Sequence, residues 1–308
     1  MTETTLPQRR NRVRPVPDRE TTARKLLDAS LKHSFDPRID VAWDEPWRPD
    51  TFFLPPHMST LYGTPLWNRM SRAHQIELTR CELAHNNGFG IWVETTFMQM
   101  LARHSLSYDP RSAHLRYALT ELGDETRHST MFSLVMDKLD RGPYSFHPLD
   151  RFAVDLLRAF STEPLAYVAV LFVEEIFDAL QRAGMKDTSI QPLARQTMRI
   201  HVVEEARHMR FARDELYRTL PGLPRLYREA LALAVAYGVS LVSRSLRSPQ
   251  MYADAGLDPA EATRAATANP HARAVLQDCV DHFLPSYTDL GLITPASRLI
   301  WQRQGLTV

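Results

Sequence analysis

Two five-residue strings carry the chemistry of this chain. Asp124-Glu125-Thr126-Arg127-His128 and Glu204-Glu205-Ala206-Arg207-His208 both read acidic–Glu–x–Arg–His. In each, a Glu and a His stand three residues apart, so a helix sets a carboxylate and an imidazole side by side on one face. A single Glu-x-x-His is common on a solvated acidic helix. Two copies in the same frame form half of the donor set with which helical bundles hold a pair of metal ions. The other half is one Glu from each of two further helices.

Glu94 and Glu174 fit that requirement. Glu94 lies within Gly90-Ile91-Trp92-Val93-Glu94-Thr95-Thr96-Phe97-Met98, and Glu174 ends Val168-Ala169-Val170-Leu171-Phe172-Val173-Glu174. An ionised carboxylate in such apolar runs is costly unless it is paired or bound to a metal. Glu94 and Glu125 are separated by 31 residues, as are Glu174 and Glu205, and the two halves are offset by 80. An unbroken helix would hold each pair roughly 46 Å apart. A turn at each midpoint instead folds the chain into hairpins that return both carboxylates to one height, roughly 23 Å from the turn. The midpoints fall in Ser107-Tyr108-Asp109-Pro110 and at the end of Gly184-Met185-Lys186-Asp187-Thr188-Ser189, both rich in turn formers. This spacing favours Glu174 over Glu175, which is the alternative if the helix register shifts by one residue.

The acid that opens each string has two readings. A metal-bound imidazole usually donates its other N–H to a carboxylate. Asp124 would then orient His208 and Glu204 would orient His128, across a pseudo-two-fold axis. Alternatively, both acids balance Arg127 and Arg207. His201 precedes Glu205 by four residues and His208 by seven, on the same face, whereas the position 80 residues earlier holds Glu121. His201 is either a seventh ligand or a core histidine.

Carboxylate plus imidazole suits Fe, Mn or Zn, and the doubled Glu and Glu-x-x-His set is that of di-iron and di-manganese proteins. Two ferrous ions bridged by carboxylates can reduce O2 together, which requires an apolar pocket beside them. Phe97, Met98 and Leu101 follow Glu94 on its helix; Val170, Leu171 and Phe177 flank Glu174, with Tyr167 two turns earlier. These residues line such a pocket or simply fill a bundle core.

The elements that must position this set are helical. Glycine is scarce, at 11 of 308 residues, and long segments place apolar residues at helical spacing. Residues 1–20 read as a flexible arm, followed by a helix from Glu20 to Lys32. Residues 33–63, with Pro37, Pro46, Pro49, Pro55 and Pro56, read as an extended wrap. Four long helices are expected at about 70–104, 111–139, 149–183 and 190–219, with two or three more over 224–308. The expected fold is all-α: a ferritin-like four-helix bundle with additional N- and C-terminal helices. It forms one domain over 21–308, with the metal-binding part at about 70–219.

Over residues 80–210 the chain resembles the AurF-type arylamine N-oxygenases. The resemblance rests on Glu94, the Asp124–His128 string, Glu174, and His201 with the Glu204–His208 string. The additional histidine one turn before the second Glu-x-x-His is its most discriminating element. By position Glu94, Glu125, His128, Glu174, Glu205 and His208 match that family's metal ligands, and His201 its additional histidine. The resemblance implies a homodimeric helical bundle with two iron ions that uses O2 to oxidise a primary aromatic amine through hydroxylamine and nitroso stages to a nitro group. It does not specify the amine. Asn86, Asn87, Phe89 and Trp92 are the side chains beside Glu94, and none is an Arg that would clamp an aryl carboxylate in bidentate fashion. A larger or neutral arylamine fits this better. Hydroxylation or oxidation of an alkyl or acyl chain is the rival enzyme reading, and an iron-handling or peroxide-consuming ferritin-like protein is a rival of another class.

Composition narrows the partners. A formal net charge of +1 removes the electrostatic case for nucleic acid or an anionic membrane. Cys81 and Cys279 stand far apart with no ligand spacing, as reduced thiols of a cytoplasmic protein do. The basic N-terminus lacks the apolar stretch of a secretory signal. The longest apolar run, Leu231 to Val242, falls short of the roughly 20 residues that a bilayer requires. No redox domain or nucleotide motif is visible, so electrons must come from an external donor.

Overall fold

The computed structural model describes residues 16–308, and nearly all regular structure among them is helical. In chain order the helices are α1 (Arg19–Ser30), α2 (Pro37–Asp40), α3 (Pro65–Arg69), α4 (Arg72–Ser105), α5 (Ala113–Leu139), α6 (Pro148–Phe160), α7 (Glu163–Gly184), α8 (Pro192–Thr219), α9 (Arg225–Ser245), α10 (Pro249–Asp254), α11 (Pro259–Ala268), α12 (Pro270–Asp289) and α13 (Pro295–Arg303). One isolated bridge joins Phe52 to Ile190. The fold is all-α. Its frame is four long helices in two hairpins, α4 with α5 and α7 with α8, joined by short turns that force antiparallel packing.

The helix boundaries follow local chemistry. Ser71 caps α4 by accepting from the His74 N–H, and Ser112 caps α5 by accepting from the Leu115 N–H. Glu20 of α1 reaches the same α5 terminus and accepts from the backbone N–H of Ala113 and His114 at 2.8 and 3.1 Å. That contact places a carboxylate where the helix dipole favours it and pins α1 to the bundle.

Three expectations are corrected. The helix expected over 149–183 is two helices, broken at Ser161. Pro164 has no N–H to give to Phe160, and in an unbroken helix its ring would clash with that residue's carbonyl. Residues 224–308 hold α9 to α13 rather than two or three helices. Pro249, Pro259, Pro270 and Pro295 each start a new helix at its first position. The 33–63 wrap is not wholly extended, since it contains α2 and a 3-10 turn at Pro56–Met58. As for the expected N-terminal arm, residues 1–15 lie outside the described residues, and Asp18 already caps α1.

The wrap is fastened to the turn between α7 and α8. Gln191 donates its backbone N–H to the Phe52 carbonyl at 2.8 Å, accepts from the Arg48 N–H at 2.9 Å, and returns its side-chain amide to the Arg48 carbonyl at 2.9 Å. Two apolar clusters flank the frame. One, with Phe172, Phe211, Phe283 and Trp301, joins α7 and α8 to the C-terminal helices. The other, with Phe53, Leu61, Trp67, Leu78 and Met131, seats the wrap on α4 and α5. The stretch Arg225–Asp254 is long and apolar enough to cross a membrane by length and composition, contrary to the expectation that no run qualifies. Leu231, Val235, Val239 and Val242 of α9 are nevertheless buried, and α9 packs on α7 and α13.

The α4–α5 crossing is close where the two helices carry the site. A Cβ at Gly90 would stand 2.8 Å from the Phe132 ring, which itself packs on His201. A Cβ at Gly88 would meet Met136 at an ordinary 3.6 Å. Two neighbouring substitutions therefore have opposite signs. Gly88→Ala should gain up to about 1 kcal/mol from helix propensity. Gly90→Ala should lose about 1–2 kcal/mol net, because the buried ring must move. Denaturant unfolding of the two variants checks the pair, and equal shifts would contradict the close approach.

Candidate metal centre

The four frame helices each bring acids or imidazoles to their common axis. α4 brings Glu94; α5 brings Glu121, Asp124, Glu125 and His128; α7 brings Glu174; α8 brings His201, Glu204, Glu205 and His208. Every one is buried, at 4% exposure or less. Burying so many acids is costly unless each is neutralised or bound.

The two strings face each other with matching geometry. His128 Nδ1 lies 2.9 Å from Glu125 and 3.1 Å from Glu205, while His208 Nδ1 lies 3.0 Å from each of the same two acids. On their outer sides, His128 Nε2 is 2.9 Å from Glu204 Oε2 and His208 Nε2 is 3.1 Å from Asp124 Oδ2. Each outer acid therefore faces an imidazole of the opposite string. Each also meets guanidinium groups: Asp124 pairs with Arg127 and, at 3.0 Å, with Arg207, and Glu204 lies 3.6 Å from Arg207. The contacts suit both roles considered for these acids from sequence, orienting an imidazole and balancing an arginine.

His201 sits on one side only. Its Nε2 is 3.1 Å from Glu94 and 3.7 Å from Glu205, and its Nδ1 is 2.8 Å from the Gln181 side-chain oxygen. Gln181 has the outer position here that an acid has for the other two histidines. At Glu121, the pseudo-symmetric position, both carboxyl oxygens are buried with no partner. Glu174 faces the same interior as Glu94 and lines one cavity with it, while Glu175 points away to pair with Arg213.

Two sets of donor atoms lie within 4.8 Å of one another: Glu94, His128, His201 and Glu205, and Glu125, His128, Glu205 and His208. They share His128 and Glu205, so two ions held there would be neighbours. The electrostatics fit cations. Burial, then the charges of Glu125, Glu174 and Glu205, pushes Glu94 well above the usual carboxylate range. Burial and the Glu205 and Glu125 charges do the same to Glu174. Burial would push Glu205 up too, but His208 and His128 hold it well below. Burial opposes charge on His128 and His208, yet the surrounding carboxylates raise both well above the usual imidazole range. Burial, then His128, lowers His201 to about 4, leaving a neutral nitrogen donor. One oxygen each of Glu94 and Glu205 has no partner. These shifts are those of a buried acidic cluster short of positive charge, which a metal ion would supply, and one oxygen each of Glu94 and Glu205 is unpaired for it.

A family model described as P-aminobenzoate N-oxygenase AurF matches residues 16–291. The chain belongs to this family. AurF-family proteins are di-iron proteins, and the buried Glu and His groups here are able to bind metal. An uncharacterized protein of Mycobacterium tuberculosis (strain CDC 1551 / Oshkosh) is 27% identical over 286 residues, covering 90% of this chain and 84% of the relative. A second, from Mycobacterium bovis (strain ATCC BAA-935 / AF2122/97), is 26% identical over the same length and coverage.

The cavity that Glu94, Glu174 and His201 line has about 140 Å³ of open space and lies toward the α7–α8 turn. Of the seven apolar residues considered from sequence, only Phe177 lines it. Phe97 and Val170 instead border a second, apolar cavity, Leu101 packs with those two, Tyr167 and Leu171 belong to the α7–α8 core, and Met98 is half-buried against Thr126. The reason is geometric. Helix side chains lean toward the N-terminus, so the space in front of Glu94 lies over the preceding turns, at Gly90, Asn87 and Asn86, and not over Phe97 and Leu101. Sequence reasoning also missed Gln181, Phe132 and Glu82. The first two stand at helical spacing from the site, Gln181 seven residues after Glu174 and Phe132 four after His128, and that spacing was the available signal.

Two measurements follow. Asp124→Ala and Glu204→Ala should each weaken metal binding by roughly 10–100-fold, the usual cost of losing an imidazole's outer partner. Chelator competition reads this, with Glu175→Gln as a control of unchanged affinity. Metal loading in weak buffer should also release protons, since Glu94, Glu174, His128 and His208 hold them above their ordinary ranges. A pH-indicator titration with no release would contradict that protonation pattern.

Proposed function

We propose that this chain is a di-iron, O2-dependent monooxygenase that oxidises the nitrogen of an aromatic amine to hydroxylamine, nitroso or nitro products. The observation that carries this reading is the fused pair of Glu/His sets, with His201 added on a side where Glu94 and Glu174 line a cavity, in a chain of the AurF family. Glu94, Glu125, His128, Glu174, His201, Glu205 and His208 would hold the two irons. When bound, such a pair supplies electrons to O2 and so activates it for transfer to substrate. Asp124 and Glu204 hold the His208 and His128 rings in place through their outer nitrogens. Phe89, Val93, Phe132, Val173, Ile176 and Phe177 wall the cavity and keep water from it. An arylamine suits this wall, because its nitrogen is uncharged at neutral pH and its ring is apolar.

We take residues 21–308 as one catalytic domain, acting in the cytoplasm as a homodimer with an external electron donor. The rival reading, oxidation of an alkyl or acyl chain, has one observation in its favour. The second cavity, about 380 Å³ and lined by Phe97, Met100, Val170 and Phe172, shares Phe89, Val93 and Val173 with the first. It is large and apolar enough to suit a hydrocarbon.

The test is single-turnover oxidation. Iron-loaded, reduced protein mixed with O2 and a panel of arylamines should yield hydroxylamine or nitro products by mass spectrometry, with oxygen from labelled O2. His201→Ala should keep much of its iron and show an altered optical spectrum. Oxygenated alkyl or acyl products with no N-oxidation would transfer the assignment to the rival, and growth of a ferric mineral without any organic product would make the protein an iron-handling one.

A further inference from the structure

The cavity has a second polar end, away from the metal centre. Glu82 stands twelve residues before Glu94 on α4, roughly 18 Å along the helix axis. It lines the same cavity and is 3% exposed. Its Oε1 is fully used, accepting from the Thr60 N–H at 2.8 Å, the Thr60 hydroxyl at 2.7 Å and the Ser59 hydroxyl at 3.1 Å. Its Oε2 has no partner at all. If Glu82 only fastened the 59–60 segment, one oxygen would suffice and the other would be an uncompensated buried acceptor.

The neighbours point the same way. Asn87 spends its amide N–H on the Leu83 carbonyl at 2.7 Å, which leaves its carbonyl oxygen as the free polar atom, and Asn86 lines the cavity one position earlier. His57 and Met58 stand near this end, with His57 exposed, and Leu276 of α12 also lines the cavity. The lining contains Glu82, Glu94 and Glu174 but no Lys or Arg among the described residues. Burial pushes the Glu82 carboxyl up to about 7 against the pull of Thr60 and Ser59, in keeping with an oxygen that lacks a partner.

We propose that Glu82, with Asn86 and Asn87, is a recognition subsite that takes a hydrogen-bond donor, an ammonium or hydroxyl group, carried on a tail at the end of the substrate remote from the oxidised atom. The vacant Oε2 accepts that donor. A carboxylate in the same place would meet an acid with no cation to offset it. The distance between the two ends exceeds the length of an aminobenzoate, so the donor sits beyond the ring. This rests on the cavity being the substrate site but not on which atom is oxidised.

The experiment is calorimetric binding to anaerobic, iron-loaded, reduced protein. It compares three arylamines that differ only in their tails: procainamide (ammonium), 4-amino-N-(2-hydroxyethyl)benzamide (hydroxyl) and 4-aminohippurate (carboxylate). The first two should bind at least about tenfold tighter than the third. Glu82→Gln keeps an acceptor for Ser59 and Thr60 but turns the vacant oxygen into a donor, and should abolish the preference for procainamide. Asn86→Arg, at a half-buried position one turn away, supplies the missing cation and should invert the ranking toward 4-aminohippurate, so the proposal stays testable if Glu82→Gln fails to fold. Equal affinities in the wild type, or a ranking unmoved by the variants, would overturn the subsite. Because binding is read without O2, a protein that ranks the tails as stated yet forms no N-oxidised product refutes the arylamine reading and leaves the subsite standing.

Discussion

The bundle is organised around one electrostatic constraint, the burial of Glu94, Glu121, Glu125, Glu174 and Glu205 on a shared axis that water does not reach. Apolar packing cannot offset so many carboxylates, and the cost of an isolated buried charge far exceeds the net stability of a typical domain. The chain meets the constraint in layers. His128 and His208 stand between the inner acids Glu125 and Glu205. Asp124 and Glu204 stand behind the imidazoles, and Arg127 and Arg207 stand behind those acids.

The outermost layer is the segment His33–Phe35. Arg207 donates to the His33 carbonyl at 2.7 Å, Arg127 to the Ser34 hydroxyl at 3.0 Å, and the Phe35 N–H donates to Glu204 at 3.1 Å. The segment after α1 is thus tied to the centre by polar bonds, and the remainder of the wrap is held by apolar packing on α4 and α5 together with hydrogen bonds to Gln191 and Glu82. Removing any layer exposes the one inside it to an unpaired buried charge, which is why the N-terminal elements belong to the site although they carry none of its donor atoms.

The frame was legible because hairpin geometry leaves an arithmetic trace. Equal separations of 31 residues require turns at both midpoints, and the described turns at 106–112 and 185–191 fall there. The same argument distinguishes Glu174, which faces the interior, from Glu175, which pairs with Arg213. What it could not supply is whatever depends on single breakers or on long-range packing. Pro164 splits a helix whose apolar period runs on across the break. The prolines of the tail mark helix starts, and in a sequence they read equally well as loop residues. Contacts such as Gln191 to Phe52 and Arg207 to His33 join positions more than a hundred residues apart, with no periodicity to announce them.

The pocket was the hardest part, and symmetry is the reason. A duplicated hairpin offers two equivalent ends beside the metal centre, and apolar residues follow or precede the acids at both. At one end Phe97, Met100, Leu101, Ala118, Ala166 and Val170 close together. At the other, the cavity is bordered by α4 residues up to Glu94, α7 residues from Val173 onward and α8 residues up to His201. The residues that break the symmetry are those related by the 80-residue offset, Glu121 and His201. Burial pushes Glu121 well above the usual carboxylate range, so it stands toward the Phe97 end as a neutral acid beside the buried Tyr117 hydroxyl. His201, neutral and held by Gln181, stands at the open end. The histidine that departs from an otherwise symmetric donor set therefore stands on the side where Glu94 and Glu174 line a cavity. Small and amide residues on the same side, Asn86, Asn87 and Gly90, line the cavity that reaches Glu94, whereas the cavity bordered by Phe97 and Met100 at the other end touches none of the donor residues.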